Sequence, residues 1–465
     1  MKTILVPLFN GHVARNIFQT STYGILADNK NLQLIFVVSP DKVDYYQEQY
    51  GRDGVEFIKY AGKNIETDSR PEKLWALLLF HCVGTDTVFI RIKRNYLLHK
   101  SFLRWINYSL STLVTKIFSR LDWLKRIFRY LYFVMLRVDP EIIRLVDVYK
   151  PALIYAPHAY DYNCIQFIKQ GKIRKVKTMS TINSWDNLSN RGLLPMVPDM
   201  LIVHNQILVD EAIADHLINP EKIAISGLPH FDYYYNYQPS NKTEFYKKIG
   251  LDDTSKKLIL FGAATANLKT PFGAVIRWLN EEIENDARLA GYMVLVRFYP
   301  NDNVDLESFV KQYGLENAKN ILYSWPCANN FGGGKNWEFT KEDAIFLADS
   351  LFYSDALINY GSTLNIDIAA FDKSLLNMSF DGADEKNPNS VQWFYKRTHM
   401  EKLYSTGGMK LAKTYKELKD QLIFSLAHPE SDREGRKAIL DQQCWKCDGK
   451  AGARVANIIV SQIYV

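Results

Sequence analysis

Four short stretches carry side chains whose types and spacing suit chemistry. In SDALINYGSTLNIDIAAF (354–371), Gly361, Ser362 and Thr363 stand between an apolar run and a helical one. A glycine and two hydroxyl residues at a helix start offer free backbone N–H groups, the positive end of the dipole and hydroxyl donors, which suits a phosphate. Asp367 follows Thr363 by one helical turn, placed to accept from ribose hydroxyls. N-capping by Ser362 or Thr363, with Asp367 in solvent, explains the same residues. VLVRFYPND (294–302) ends an apolar run in Arg297 and Pro300. FNGHVARN (9–16) sets Asn10, His12 and Arg15 after the first apolar run, and TINSWDNLSNRG (181–192) sets Trp185, Asp186 and Asn187 after an extended, basic one. A carboxylate or imidazole at such a position can take a proton. An Asx turn or helix cap is the ordinary explanation of W-D-N-L-S, and a hydrogen-bonding turn residue that of His12.

These stretches need elements to hold them. Apolar, β-branched runs recur at 3–9, 33–39, 152–157, 177–182, 200–205, 222–227, 257–262, 293–298, 321–325 and 356–361, many separated by helical patterns. Continuous apolar strands alternating with helices imply parallel sheets covered on both faces. The polar stretch NYQPSNKTEF (236–245) reads as the linker, giving an N-terminal half over 1–237 and a C-terminal half over 238–465, with the last helix available to pack back on the first half. In doubly wound sheets ligands bind at the carboxyl ends of strands. That is where the four stretches fall.

Composition sets the bounds. With 465 residues, 47% hydrophobic and 23% charged, the chain is an ordinary globular protein too long for one core. MKTILVPLFNGHV is too short in its apolar part for a secretory signal, and no run of about 18 apolar residues exists, so the expected place is the cytoplasm. Five scattered cysteines make no disulfide framework, and the lone C-W-K-C at Cys444 and Cys447 reads as two structural thiols. The Gly332–Gly334 run (FGGGK) lacks the remaining P-loop residues and reads as a flexible loop. No metal-ligand cluster is evident, so no metal and no cofactor are expected.

One segment departs from this plainness. Between Arg91 and Arg137 stand eleven Lys and Arg against one acid, Asp122, in a chain whose net charge is +6. Apolar residues at 106, 110, 113, 114, 117, 121, 124, 128 and 131 keep helical spacing, and Trp105, Trp123, Tyr130 and Tyr132 add aromatics. A basic, aromatic amphipathic helix suits the plane of an anionic membrane surface. A helix pair covering the core is the plainer reading, and nucleic acid the least favoured partner.

Taken together, FNGHVARN, the W-D-N loop, GLPHFD (227–232), R-F-Y-P and SDALINYGSTLNIDIAAF resemble bacterial cell-surface polysaccharide transferases of the GT-B type, nearest to the CDP-glycerol glycerophosphotransferase-like enzymes. The resemblance covers most of the chain apart from the basic insertion. It implies an α/β fold of two Rossmann-like doubly wound domains facing across a cleft, the first binding acceptor and the second a nucleotide-activated donor. It assigns Gly361, Ser362, Thr363 and Asp367 to donor phosphate and ribose, with Arg297 on the leaving phosphate. Tyr299 stands where the family has a phosphate-contacting His, and Trp185, Asp186 and Asn187 where it has Trp-His-Gly. Asn10, Arg15, Trp185 and Asn187 then fall on the acceptor side, with Asp186 as general base and His12 as its rival. His230 in GLPHFD is expected to line the hinge or cleft.

The implied activity is sugar transfer from a nucleotide sugar to a lipid-linked or oligosaccharide acceptor, inverting, on the inner membrane face. Losing both family histidines argues against polyol-phosphate transfer from a CDP-linked donor. A non-hydrolysing nucleotide-sugar epimerase or a binding module is the alternative of another class. The sequence fixes neither donor sugar, nucleotide base nor oligomeric state.

Overall fold

The computed structural model describes residues 1–61, 70–98, 101–264, 272–299, 304–326, 328–330, 337–381 and 390–464. Pro300 and the Gly332–Gly334 run lie outside them. The chain divides into two compact units: Met1–Tyr233, Phe331–Glu338 and Gln442–Val465 form the first, Tyr234–Asn330 and Phe339–Asp441 the second.

The first unit is built on seven parallel strands, β1 (Lys2–Leu8), β2 (Leu32–Val38), β3 (Val55–Lys59), β4 (Leu153–Ala156), β5 (Lys177–Thr181), β6 (Met200–Val203) and β7 (Ile223–Ile225), in the order β3-β2-β1-β4-β5-β6-β7. Side chains alternate across the sheet. Ile4, Val6 and Leu8 pack with Leu34, Phe36 and Val38 on one face, while Leu5 packs with Ile35, Val37 and Ile154 on the other. Burial on both faces is why β1 reads as an unbroken apolar run. The order reverses between β1 and β4, which makes their carboxyl ends the switch point where such sheets take ligands.

The connection from β3 to β4 holds the basic segment as part of a larger helical insertion: Arg70–Phe80, Asp86–Leu97, Phe102–Phe118 and Asp122–Met135, followed by helix Pro140–Tyr149. Its inner side joins a core of Leu79, Val88, Ile92, Tyr132 and Leu136. Not every basic residue of the segment is available to a membrane surface. Lys125 is 2% exposed and donates to Asp215 O, and Arg129 donates to Leu194 O and His216 O. Outward-facing positions carry Leu103, Leu110, Leu113 and Ile117 on one helix and Trp123, Ile127, Tyr130 and Val134 on the next, all exposed. Both helices are therefore apolar on two sides.

The second unit carries β8 (Lys257–Gly262), β9 (Tyr292–Arg297) and β10 (Ile321–Ser324). After a ribbon of β11 (Ala328–Asn330) and β12 (Trp337–Phe339) come β13 (Ser354–Asn359), β14 (Ser374–Met378) and β15 (Lys410–Ala412). The sheet runs β10-β9-β8-β13-β14-β15, all parallel, with its reversal between β8 and β13. Ile259, Val294, Val296 and Ile358 lie in its core.

The last helix, Ala451–Tyr464, belongs to the first unit, where Val455, Ala456, Ile459 and Ile463 complete the β1 core. Asp232 caps it, accepting from Ala451 N at 2.9 Å and Gly452 N at 2.7 Å. Neither Cys444 nor Cys447 forms a disulfide. Among the described residues no helix is long and apolar enough to cross a membrane, and no group of three or more His, Cys, Asp or Glu is placed to hold a metal ion.

Candidate functional site

In the first unit, strand ends gather histidines. His12 follows β1, His158 follows β4, His204 directly follows β6, and His230 follows β7. His12 and His158 thus flank the switch point. Asn10 opens helix Gly11–Phe18, its side chain accepting from His12 N at 3.0 Å. Arg15, on that helix, is close enough to act on both His12 and His230.

All four imidazoles are held below their ordinary pKa. Burial leads in each case. For His12, Arg15 and His158 add to it, and for His230, Arg15, His204 and His12 do. His12 keeps an exposed side chain, so solvent moderates its shift, but every cause acts in the same direction. Such a group is neutral at pH 7, the state that can accept a proton. His204 Nε2, His230 Nδ1 and Asn16 Oδ1 are buried without hydrogen-bond partners among the described residues. Asn16 and His204 share the walls of a cavity of about 10 Å³ with Tyr155, Thr181 and Asn183, the size of one water.

The W-D-N loop is differently built. Asp186 precedes the short helix Asn187–Asn190 but caps none of its backbone N–H groups. Its carboxylate accepts from Ser184 Oγ at 2.6 Å, Asn190 Nδ2 at 2.9 Å and Asn187 Nδ2 at 3.4 Å. These donors brace the loop internally. Asn187 is buried and Trp185 half-buried. The loop is fixed again at its far end. Gly192, at φ +81°, would bring a Cβ within 2.6 Å of Phe80 Cα, so only glycine fits.

His216 ties the same loop together. Its Nδ1 accepts from Leu194 N at 2.9 Å, so Nε2 carries the proton and donates to Leu188 O at 3.0 Å. Burial lowers its pKa to about 3, and that of His204 to about 4. The unfolded chain takes up these protons near pH 6.5 while the native state refuses them, so stability falls as pH drops from about 6.5 towards about 4. Each group contributes a slope of roughly 1.4 kcal/mol per pH unit. Urea midpoints at pH 7, 6 and 5 should decline in the wild type and less steeply in a His204→Asn/His216→Gln double variant, in which His12, His158 and His230 still resist protonation. Equal slopes in the two proteins would refute this account.

In the second unit, the turn after β13 is rigid. Gly361 has φ +78°, and a Cβ there would meet the Phe394 ring at 2.7 Å. The Asn359 side chain accepts from Gly361 N at 2.6 Å and Ser362 N at 3.3 Å, while Ser362 Oγ accepts from Leu364 N at 2.9 Å. These two N–H groups, expected to be free for a phosphate, are already engaged. Below them lie buried Asn365 and Asn377, linked to each other and to Asn359. Thr363 stays exposed. Asp367 is buried and accepts from Tyr234 Oη at 3.0 Å.

Arg297 closes β9 and is buried against Asp343, Nη2 to Oδ1 at 2.7 Å, with side-chain exposures of 6% and 1%. Its Nη1 is buried with no hydrogen-bond partner among the described residues. Tyr299, two residues on, is half-buried. The residues that sequence reading missed are His158, His204, Asn359, Asn365, Asn377, Asp343 and Tyr234. His158, His204 and Asn359 stand within two residues of a strand's carboxyl end or on it, a signal already visible in ALIYAPH, MLIVHN and ALINYG.

No family model matches this chain, and no curated protein does. Solved structures do match its fold. The S. aureus MnaA structure with UDP is 12% identical over 100% of this chain and 97% of that one, with a TM-score of 0.56. A UDP-N-acetylglucosamine 2-epimerase assigned in Listeria monocytogenes is 12% identical over 99% and 96%, at 0.54. The Neisseria meningitidis UDP-GlcNAc 2-epimerase bound to UDP-GlcNAc is 9% identical over 99% and 99%, at 0.52. Identity this low carries fold alone, and the fold is the two-domain α/β architecture of the GT-B type.

Proposed function

We propose that the protein is a glycosyltransferase that moves a sugar from a nucleotide-activated donor to a lipid-linked or glycan acceptor, working at an anionic membrane surface. The observation that carries this reading is the outward apolar surface of helices Phe102–Phe118 and Asp122–Met135, on the unit whose switch point holds neutral His12. An enzyme that only interconverts a soluble nucleotide sugar has no need of such a surface.

In this reading the second unit holds the donor. Arg297 Nη1, which has no hydrogen-bond partner among the described residues, and the exposed Thr363 hydroxyl serve the phosphates, and Asp367 the ribose. The acceptor hydroxyl attacks the anomeric carbon, the nucleotide diphosphate leaves, and the proton passes to His12. Asp186 serves by bracing the acceptor loop.

A second reading, a nucleotide-sugar epimerase, is favoured by one observation: the fold matches above are named as epimerases or were solved with UDP or UDP-GlcNAc. One experiment separates the two. Melting temperatures with CMP, CDP, UDP, GDP and dTDP identify the nucleotide, since a ligand at about 100 times its Kd stabilises by about 2.7 kcal/mol. The matched nucleotide sugar is then incubated with and without anionic vesicles carrying lipid-linked acceptor. Transfer should require the vesicles, and reversing Lys116, Arg120 and Arg126 should release the protein, each charge contributing on the order of 1 kcal/mol. Conversion of the sugar with no acceptor present would sink the transferase reading. So would indifference of the wild type to anionic vesicles at low salt.

A further inference from the structure

The helical insertion holds an open cavity of about 190 Å³, larger than anything a single trapped water explains. Its apolar lining is Leu77, Phe80 and Ile92. Its polar lining includes Asn95, Arg104, Asn107 and Ser111, with Tyr96 and Tyr108 stacked on each other at 5.3 Å. His81 is part of the lining. Thr115 Oγ1 donates to Ser111 O and so accepts from His81 Nδ1–H at 2.7 Å, which leaves His81 Nε2 as an acceptor on the cavity wall.

The surroundings are amphiphilic as well. Arg104 is an exposed cation on the first turn of helix Phe102–Phe118, beside Phe102, Leu103 and Trp105, which are 73%, 76% and 50% exposed. Leu77, in the lining, is itself 52% exposed. A lining part apolar and part polar, one cation and exposed apolar flanks match a molecule with an anionic head and a hydrocarbon tail.

We propose that this cavity seats the phosphate-bearing head of an anionic amphiphile, with Arg104 on the phosphate and the tail leaving over Leu77 and the first turn of helix Phe102–Phe118. That the amphiphile is the acceptor rests on the transferase reading; the cavity's ligand class does not. A cation that meets phosphate in a partly apolar setting forms a charge-assisted hydrogen bond stronger than it would make in open water.

Calorimetric titration with dihexanoyl phosphatidic acid below its micelle concentration tests this. The wild type should bind it, with inorganic phosphate and dihexanoylglycerol each at least about tenfold weaker, because each lacks one half of the recognised pattern. Arg104→Gln, a surface change that leaves the fold alone, should weaken binding about tenfold. Ser111→Phe should fill the cavity and remove binding. No binding by the wild type, or equal binding by wild type and both variants, would overturn the proposal. If the amphiphile binds through Ser111 and Arg104 while no nucleotide shifts the melting temperature, the transferase reading falls and the cavity assignment stands. A nucleotide shift without amphiphile binding overturns the cavity assignment alone.

Discussion

His12→Gln should cut turnover by roughly 100-fold to 10,000-fold, the range for losing a general base, while nucleotide affinity stays unchanged, because His12 belongs to the first unit and the residues proposed to hold the donor to the second. Gln keeps a hydrogen-bonding side chain of similar reach but cannot accept a proton at neutral pH. The companion variant, Asp186→Asn, is expected to behave otherwise. Its carboxylate accepts from Ser184 and Asn190 amide or hydroxyl donors, and an introduced amide would set donor against donor at one of them. The cost is then about 1–3 kcal/mol of stability, with turnover within a few-fold of wild type. Steady-state rates and melting temperatures of the two variants decide the matter. Should Asp186→Asn lose turnover at an unchanged melting temperature while His12→Gln keeps it, the carboxylate is the base.

The largest effect on stability is expected at Asp343. Removing it as Asp343→Ala leaves the Arg297 guanidinium charged, buried and without its carboxylate, a change that costs about 3–5 kcal/mol. A well-packed apolar pair in the same volume avoids that penalty, so Arg297→Met/Asp343→Leu should recover most of the loss in urea denaturation. The double variant should nevertheless lose nucleotide binding, since the buried Nη1 that has no partner among the described residues is gone with the arginine. An unchanged urea midpoint in Asp343→Ala would show that the pair carries no such strain. Retained nucleotide affinity in the double variant would remove Arg297 from the donor site.

The architecture was legible in the sequence because strand signals of this fold are strong. A strand buried on both faces admits no polar alternation, so β1, β8, β9 and β13 stand out as apolar runs with the chemistry at their ends. What a strand end does next was not legible. Asp186 and Arg297 both look like free chemical groups in the linear sequence, and both turn out to have protein partners that are near or far in the chain: Ser184 and Asn190 for one, Asp343 for the other. The same holds for charge. Lys125 and Arg129 count towards the basic segment as letters, but their partners, Asp215, Leu194 and His216, lie more than sixty residues away. Helical periodicity predicts which face a residue shares, not whether a carbonyl waits there to accept from it.

The placement of the last helix has a consequence for how the chain is made. Residues 1–233 emerge from the ribosome with all seven strands of the first sheet, but without Val455, Ala456, Ile459 and Ile463, which close the β1 core. At about 5–20 residues per second, the interval between Tyr233 and Gln442 lasts roughly ten to forty seconds. Throughout it the nascent first unit presents an uncovered apolar groove beside β1, and the second unit has its whole chain at Asp441, before the last helix emerges. The order of synthesis is thus the reverse of the order of completion: the half made first is finished last.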